Sequence, residues 1–243
     1  MKDPKQNATS FARELAARLG ERLQSVLLYG SVARGEAVPG TSDINVLVLL
    51  DRIDGDVLRS ASPLARRWAE TGNTAPLFMA TTEWRRAADA FAIELADMHD
   101  AHEVVYGADP LVGLEVDPGE LRLQAERELR GKLLQLREGM LLAAEDEEAL
   151  GRLLLVALPS FVTYMRAALR LAGREVPLDS ESVVRAAADL VGGDPTAFLE
   201  AWQARRRGRP IRARIGGPLL DGYYALAEST AAFVDTYSET RDS

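Results

Sequence analysis

Two short apolar runs near the start of the chain, residues 24–29 and 44–50, constrain the fold more than any other feature. The first run ends directly at Gly30-Ser31, and the second follows Asp43. Both runs are rich in leucine and β-branched residues and are bounded by Gly, Ser and Asp, a pattern typical of strands. We therefore expect two neighbouring strands, with the Gly30 turn facing the Asp43 side chain across one cleft.

The pattern of the chain changes near residue 117. Before it, helix-like segments (7–19, 56–70 and 82–90) alternate with further strand-like runs (75–80, 91–98 and 104–106). From Asp117 onward the apolar periodicity is helical, with a long helix beginning at Pro118 and others over 148–172, after Asp194-Pro195, and over 217–238. The sequence therefore predicts an α+β protein in two domains: an α/β domain, residues 1–116, and an all-α helical bundle, residues 117–243.

Composition narrows the choice of partners. The formal net charge of −8 argues against a general nucleic-acid binder, which needs an excess of Lys and Arg. No apolar run reaches the ~20 residues that span a bilayer, and the first residues lack the apolar core of a secretory signal. The absence of cysteine fits a reducing compartment. We expect a cytoplasmic, bacterial protein that binds neither nucleic acid nor membrane.

The ends of the two first strands carry residues suited to nucleotide chemistry. Gly-Ser at a strand end lets the backbone approach a phosphate, and its amide and hydroxyl groups donate to phosphate oxygens. Two carboxylates at alternate positions of a strand point to one side and hold Mg²⁺ together. In this chain Asp43 is followed, two positions later, by Asn45. Asn45 offers a neutral carbonyl oxygen where a second carboxylate would supply charge.

The run Leu28–Ala37, followed by Asp43, resembles the nucleotidyltransferase superfamily of kanamycin and streptomycin adenylyltransferases, bacterial minimal nucleotidyltransferases and, more distantly, DNA polymerase beta. The close resemblance covers residues 24–50. It implies a small mixed sheet in the N-terminal domain and transfer of a nucleotidyl group from an NTP, with Mg²⁺ as cofactor. The site residues that it implies are Gly30 and Ser31 for the nucleotide, and Asp43 with Asn45 for the metal and for catalysis. Arg34 is either a further contact of the triphosphate or a solvated loop residue, and Glu94 is a candidate for the third catalytic acid.

Two departures from the family pattern leave the function open. Asn45 replaces the second metal carboxylate, and the predicted strand 75–80 has no acid where the family places a third. Glu94 or Asp97, on the next predicted strand, is either a replacement for that acid or a polar residue on the solvated face of an edge strand. The chain is then either a weakened transferase acting on a small-molecule or protein hydroxyl, or an inactive module of the same fold that binds nucleotide or protein.

Three other features have competing interpretations. His99 and His102 have a spacing that suits one helical face, but zinc requires three or four convergent ligands. The arginine-rich segment 205–214 is either a grip for phosphates or an exposed connection between helices. No histidine follows His102, and helical RNases of the HEPN family require one, so we expect the bundle to bind substrate or to form a homodimer.

Overall fold

The computed structural model describes residues 3–38 and 42–237. The chain divides into two compact units, Met1–Val116 and Asp117–Ser243. The first unit contains four strands and four α-helices in its described residues. In chain order they are α1 (Pro4–Leu19), β1 (Leu23–Tyr29), β2 (Asn45–Leu50), α2 (Gly55–Glu70), β3 (Leu77–Ala80), α3 (Thr81–Arg86), α4 (Ala92–Asp100) and β4 (His102–Gly107).

The four strands form one mixed sheet in the order β3-β2-β1-β4. Strand β1 is antiparallel to β2 and β4, and β2 is parallel to β3. The strands predicted over 24–29, 44–50 and 104–106 are confirmed, and so is the α+β class with a small mixed sheet. The third predicted strand begins two residues later than expected, at Leu77.

Both faces of this sheet are covered by helices. Val26, Leu28, Val46 and Val48 pack into one core with α1 and α2. Leu27, Leu47 and Leu49, at the alternate positions, pack into a second core with side chains of α3 and α4. Because a strand that is buried on both faces has no solvated side, its sequence is continuously apolar rather than alternating. This explains why β1 and β2 stand out in the sequence.

The strand predicted over 91–98 is wrong, because this segment forms helix α4. Phe91, Leu95 and Met98 recur at helical spacing, and Leu95 and Met98 are fully buried against the sheet. Short apolar runs are ambiguous between strand and buried helix, and here the side chains are mostly good helix formers. The predicted helix 82–90 is shorter than expected and ends at Arg86.

Asp54 links the start of α2 to the segment before β1, and this link is expected to depend on pH. Its carboxylate accepts hydrogen bonds from the amides of Asp56 and Val57, both at 3.0 Å, and from Arg22 at 2.7 Å. The Arg22 hydrogen bond, with the amides, holds the pKa of Asp54 well below its ordinary value of 3.8. A lowered native pKa stabilises the fold above the unfolded-state pKa, and this contribution is lost as the pH falls through the native value.

We therefore expect the free energy of unfolding of the wild type to fall more steeply below pH 4 than that of Asp54→Asn. Urea unfolding at a series of pH values measures the difference. Asp56→Asn, in the same helical turn, is the matched control, since Asp56 bonds to the exposed side chain of Arg59. Identical pH slopes for the wild type and Asp54→Asn would show that Asp54 does not cause the loss of stability in acid.

The second unit is helical. Its elements are α5 (Pro118–Leu142), α6 (Glu147–Leu171), α7 (Ser180–Val191), α8 (Thr196–Arg206) and α9 (Pro218–Thr236). The predicted starts at Pro118 and after Asp194-Pro195 are confirmed, while α7 was not predicted. The predicted final residue of the last helix, 238, lies outside the described residues.

Helix α6 is the centre of this bundle. Among the described residues it is the one helix long and apolar enough to cross a membrane, but 61% of its most apolar stretch is buried. A core helix of a soluble protein passes the same test of length and composition. Phe161 on α6 makes edge-to-face contacts with Phe198 and Tyr223, and those two rings stack at 3.8 Å. These aromatic contacts fasten α8 and α9 to α6.

The arginine-rich segment 205–214 is mainly a connection between α8 and α9. Most of its residues are exposed. Arg206 pairs with Glu181 at 3.4 Å and Arg212 with Glu148 at 2.6 Å, and the buried Ala213 donates its amide hydrogen to the carbonyl of Glu147. This agrees with the interpretation of the segment as an exposed connection. Its ion pairs with α6 and α7 hold it against the bundle.

Candidate functional site

The end of β1 and the start of β2 meet as the sequence predicts. In the antiparallel ladder Tyr29 pairs with Asn45. Gly30, the next residue, has a φ of +78°, and a Cβ atom added to it would lie 2.9 Å from Nδ2 of Asn45. An alanine here would be strained by the positive φ, and its Cβ would force the Asn45 amide group to move. The Gly30 turn and Asn45 therefore border the same space.

The chain after Gly30 folds into a single helical turn. The amide of Arg34 donates to the carbonyl of Gly30 at 3.1 Å, and that of Glu36 to the carbonyl of Ser31 at 2.9 Å. Gly35, in the left-handed region, ends the turn. Ser31 stands at its start, where a helical turn offers no internal acceptor to its first amides. The Ser31 amide and hydroxyl are thus the donors that the sequence assigns to a phosphate.

Arg34 fastens this turn to helix α4. Its side chain is only 10% exposed, and its Nη1 lies 3.4 Å from Oδ2 of Asp97, which is 13% exposed. A second carboxylate, of Glu36, lies 3.9 Å from Nε of Arg34. Two carboxylates therefore balance the guanidinium charge. The structure makes Arg34 an anchor of the turn, and its contact with a nucleotide stays a prediction.

Asp43 lies just before β2 and is exposed to solvent. Its Oδ2 accepts a hydrogen bond from Oγ1 of Thr74 at 2.8 Å. Between it and Asn45, the buried side chain of Ile44 packs into the core formed with α1 and α2. Because side chains alternate along an extended chain, Asp43 and Asn45 belong to the opposite face, which α4 covers.

Glu94 reaches the same face from α4, although the strand on which it was predicted does not exist. It lies in the first turn of that helix and acts electrostatically on Tyr29, the ladder partner of Asn45. Burial, with a smaller contribution from the Glu94 carboxylate, raises the pKa of the Tyr29 phenol to about 12. The alternative that made Glu94 a residue on the solvated face of an edge strand is therefore wrong.

The two histidines do not share a helical face. His99 lies on α4, with Nε2 3.0 Å from the carbonyl of Leu114. His102 begins β4, with Nδ1 2.8 Å from the carbonyl of Met98 and Nε2 3.3 Å from Asp109. These contacts hold the connection between α4 and β4 in place, and each histidine acts there as a structural residue.

Comparison with known proteins relates the region around this site to one family of domains. Residues 10–117 match the family model of the nucleotidyltransferase domain. That range begins within α1 and includes the whole sheet, the Gly30 turn and Asn45. The resemblance stated from the sequence is confirmed, and nucleotidyl transfer is the general chemistry that the match supports. No curated protein matches the chain significantly.

Of the two solved structures compared with this chain, one is similar enough to show the fold. The spectinomycin adenyltransferase AAD(9) from Enterococcus faecialis, solved with ATP and spectinomycin, is 12% identical, with a TM-score of 0.58 over 93% of this chain and 98% of that chain. A toxin–antitoxin structure with AMP-PNP is 19% identical over 52% of this chain and 98% of that chain, with a TM-score of 0.33. The first similarity concerns the fold alone, and the second is too slight to support an argument.

Nucleotidyltransferases of this kind generally use a divalent metal with the NTP, and the donors present here do not fit such an ion. Magnesium prefers several hard oxygen ligands in octahedral geometry. The predicted pair supplies one carboxylate, Asp43, which is bonded to Thr74, and one neutral amide, Asn45. Strand β3 carries no acid, and the described parts of the chain contain no group of three or more His, Asp or Glu arranged to hold a metal.

The region that matches this family model also contains residues beside the candidate site that sequence reasoning missed. Tyr29 has a partly buried phenol within the electrostatic influence of Glu94, and Thr74 bonds to Asp43. Asp97 was considered only as a substitute metal ligand, and it instead pairs with Arg34. One signal was available: Glu94 and Asp97 are spaced so that a helix, but not a strand, places both on one face.

Proposed function

We propose that this protein transfers a nucleotidyl group from an NTP to a hydroxyl of a small molecule, at a rate limited by Asn45. The observation that carries the proposal is the pairing of Tyr29 with Asn45, which brings Gly30 against the Asn45 side chain. The turn that begins there supports the proposal, since its first amide and the Ser31 hydroxyl are donors of the kind that bind phosphate oxygens. The AAD(9) structure holds ATP and spectinomycin, so ATP and a small-molecule hydroxyl are the substrates to test first.

The chemistry divides among the residues of the α4-covered face. The acceptor oxygen attacks the α-phosphorus of the NTP, a new O–P bond forms, and pyrophosphate leaves with the electrons of the broken bond. In this proposal the Gly30-Ser31 turn holds the phosphates, and the Glu94 carboxylate accepts the proton of the acceptor hydroxyl. Asp43 and Asn45 complete the site with one charge fewer than the family pattern, which leaves the developing phosphate charge less well compensated.

A second candidate is an inactive module that keeps the nucleotide site without catalysis. The absence of an acid on β3, together with Asn45, favours it. The two candidates share the nucleotide site and differ in turnover, so binding and transfer have to be measured separately.

Gly30→Ala is expected to weaken nucleotide binding by roughly tenfold or more, since the added Cβ meets Asn45 and distorts the turn. Isothermal titration calorimetry with ATP, GTP, CTP and UTP, with and without Mg²⁺ or Mn²⁺, measures the loss against the wild type. Gly35→Ala is the matched control. Gly35 has a similar φ of +74°, but a Cβ added there meets nothing within 4 Å.

Both alanine variants carry the strain of a left-handed residue, about 1 kcal/mol, so thermal unfolding should show similar losses of stability. Nucleotide binding separates them. Equal weakening by Gly35→Ala would remove the specific role of Gly30, and failure of the wild type to bind any NTP would contradict the proposal in favour of a protein-interaction module.

A further inference from the structure

We infer that helix α5 carries a self-association surface that pairs antiparallel with α5 of a second copy of this chain. The inner face of α5 is buried by Leu121, Ala125, Leu129, Leu133 and Leu136. A second stripe recurs at spacings of four and three residues, so it also lies on one side of the helix. Its members are Leu123, Arg127, Gly131, Leu134, Glu138 and Leu142.

The apolar members of this stripe are unusually exposed. Leu123 is 53% exposed, Leu134 is 55% exposed and Leu142 is 91% exposed. Single exposed leucines are normal on a protein surface. A row of them along one side of a helix, separated by charged residues, is instead typical of a helix that pairs with another helix.

Gly131, in the middle of this stripe, has no explanation within its own unit. A mid-helix glycine destabilises a helix by about 1 kcal/mol relative to alanine. Other glycines of the bundle have a reason: a Cβ on Gly139 would meet Leu153, and a Cβ on Gly151 would meet the carbonyl of Ile211. A Cβ on Gly131 would meet nothing within 4 Å. Close approach of a second molecule accounts for a glycine at this place.

The charged members of the stripe also lack ion-pair partners. Within residues 3–38 and 42–237, neither Arg127 nor Glu138 forms an ion pair, and both are exposed. Two other arginines of α5 are paired. Arg130 pairs with Glu126 and Asp235, and Arg137 pairs with Glu228.

Two antiparallel α5 helices related by one two-fold axis would give each of these residues a partner in the second copy. An axis passing between Lys132 and Leu133 places Arg127 opposite Glu138 of the second copy. The same axis places Leu134 opposite Gly131 and Leu123 opposite Leu142. Because a two-fold interface repeats every contact, the pair of helices gains two ion pairs, two leucine contacts at its ends, and two leucines seated over glycine at its centre. This charge and shape complementarity identifies the occupant as a second copy of the chain.

Sedimentation equilibrium of the full chain tests the inference. We expect a monomer–dimer equilibrium whose dissociation constant rises roughly tenfold or more in Arg127→Glu and in Glu138→Arg, because each reversal places like charges opposite one another. The double variant Arg127→Glu/Glu138→Arg should restore dimerisation. Arg185→Glu, an exposed reversal on α7, is the control and should leave the dissociation constant unchanged.

A monomer at every concentration would overturn the inference. A dimer that ignores both reversals would also overturn it, and so would a loss that the double variant does not restore. Thermal unfolding of each variant checks that it is folded.

The lack of native cysteine allows an independent test of the antiparallel direction. Leu123 and Leu142 lie roughly 28 Å apart along their own helix, too far for a disulfide within one chain. The double variant Leu123→Cys/Leu142→Cys should therefore form a covalent dimer on mild oxidation, while each single variant should stay monomeric in a denaturing gel. Efficient cross-linking of a single variant, or none of the double variant, would overturn the antiparallel pairing.

Discussion

Asn45→Asp is expected to raise the rate of nucleotidyl transfer by at least about 100-fold when Mg²⁺ is present, because a bound metal contributes several kcal/mol of transition-state stabilisation. The substitution keeps the size of the side chain and adds the missing charge beside Asp43. Release of pyrophosphate from ATP, with a panel of hydroxyl-bearing acceptors, measures the rate. A second measurement tests metal binding directly. Mg²⁺ should raise the melting temperature of the variant more than that of the wild type.

Gln24→Glu is the matched control, since it adds the same charge at the opposite end of β1 from the Gly30 turn. It should leave both transfer and the Mg²⁺ response at the wild-type level. A variant with no gain in transfer and no new response to Mg²⁺ would show that Asn45 is not what limits the site. A wild type already as fast as Asn45→Asp would lead to the same conclusion.

Arg166→Met should lower the free energy of unfolding by about 3 kcal/mol or more, since it removes several hydrogen bonds from a charged donor, each worth ~1.5–3 kcal/mol. Arg166 is 1% exposed in the middle of the bundle. Its guanidinium donates to the carbonyls of Pro177 at 2.6 Å and Leu178 at 3.0 Å, and to the hydroxyl of Ser180 at 3.3 Å. These bonds fix the segment that leads into α7, and methionine fills a similar volume without any donor.

Urea unfolding measures this loss, and Arg152→Met is its control. Arg152 lies on the same helix with its side chain 64% exposed, so its replacement should change the free energy of unfolding by no more than about 0.5 kcal/mol. Equal effects of the two substitutions would mean that the buried hydrogen bonds of Arg166 contribute little to stability.

The parts of the fold that could be predicted are those in which local sequence and tertiary environment agree. Strands β1 and β2 are continuously apolar because helices cover both faces of the sheet, and α5 begins with Pro118 directly after a capping Asp117. Helix α4 was misread because a short apolar segment fits a strand or a buried helix equally well until its neighbours are known. Helix α7 was not predicted, although its ends carry recognisable signals, a capping Asp179 and a glycine, Gly192, directly after its last residue.

The candidate site, too, could be predicted only in part from the sequence. The turn at Gly30 and the position of Asn45 followed from two strands that are close in sequence. The pairing of Arg34 with Asp97 and the bond from Thr74 to Asp43 join segments far apart in the chain. No local pattern encodes such contacts, because they depend on how α4 and the segment before β3 pack onto the sheet.

The buried Arg34–Asp97 pair joins the Gly30 turn to helix α4, so a movement of the turn should also affect this helix. A ligand that shifts the turn must either carry Asp97 with it or break a desolvated ion pair, which is costly in a low-dielectric setting. Ligand occupancy should therefore change amide hydrogen exchange along residues 92–100, on the helix that presents Glu94 to Tyr29. Motion of the Glu94 carboxylate and occupancy of the turn are then linked through this ion pair.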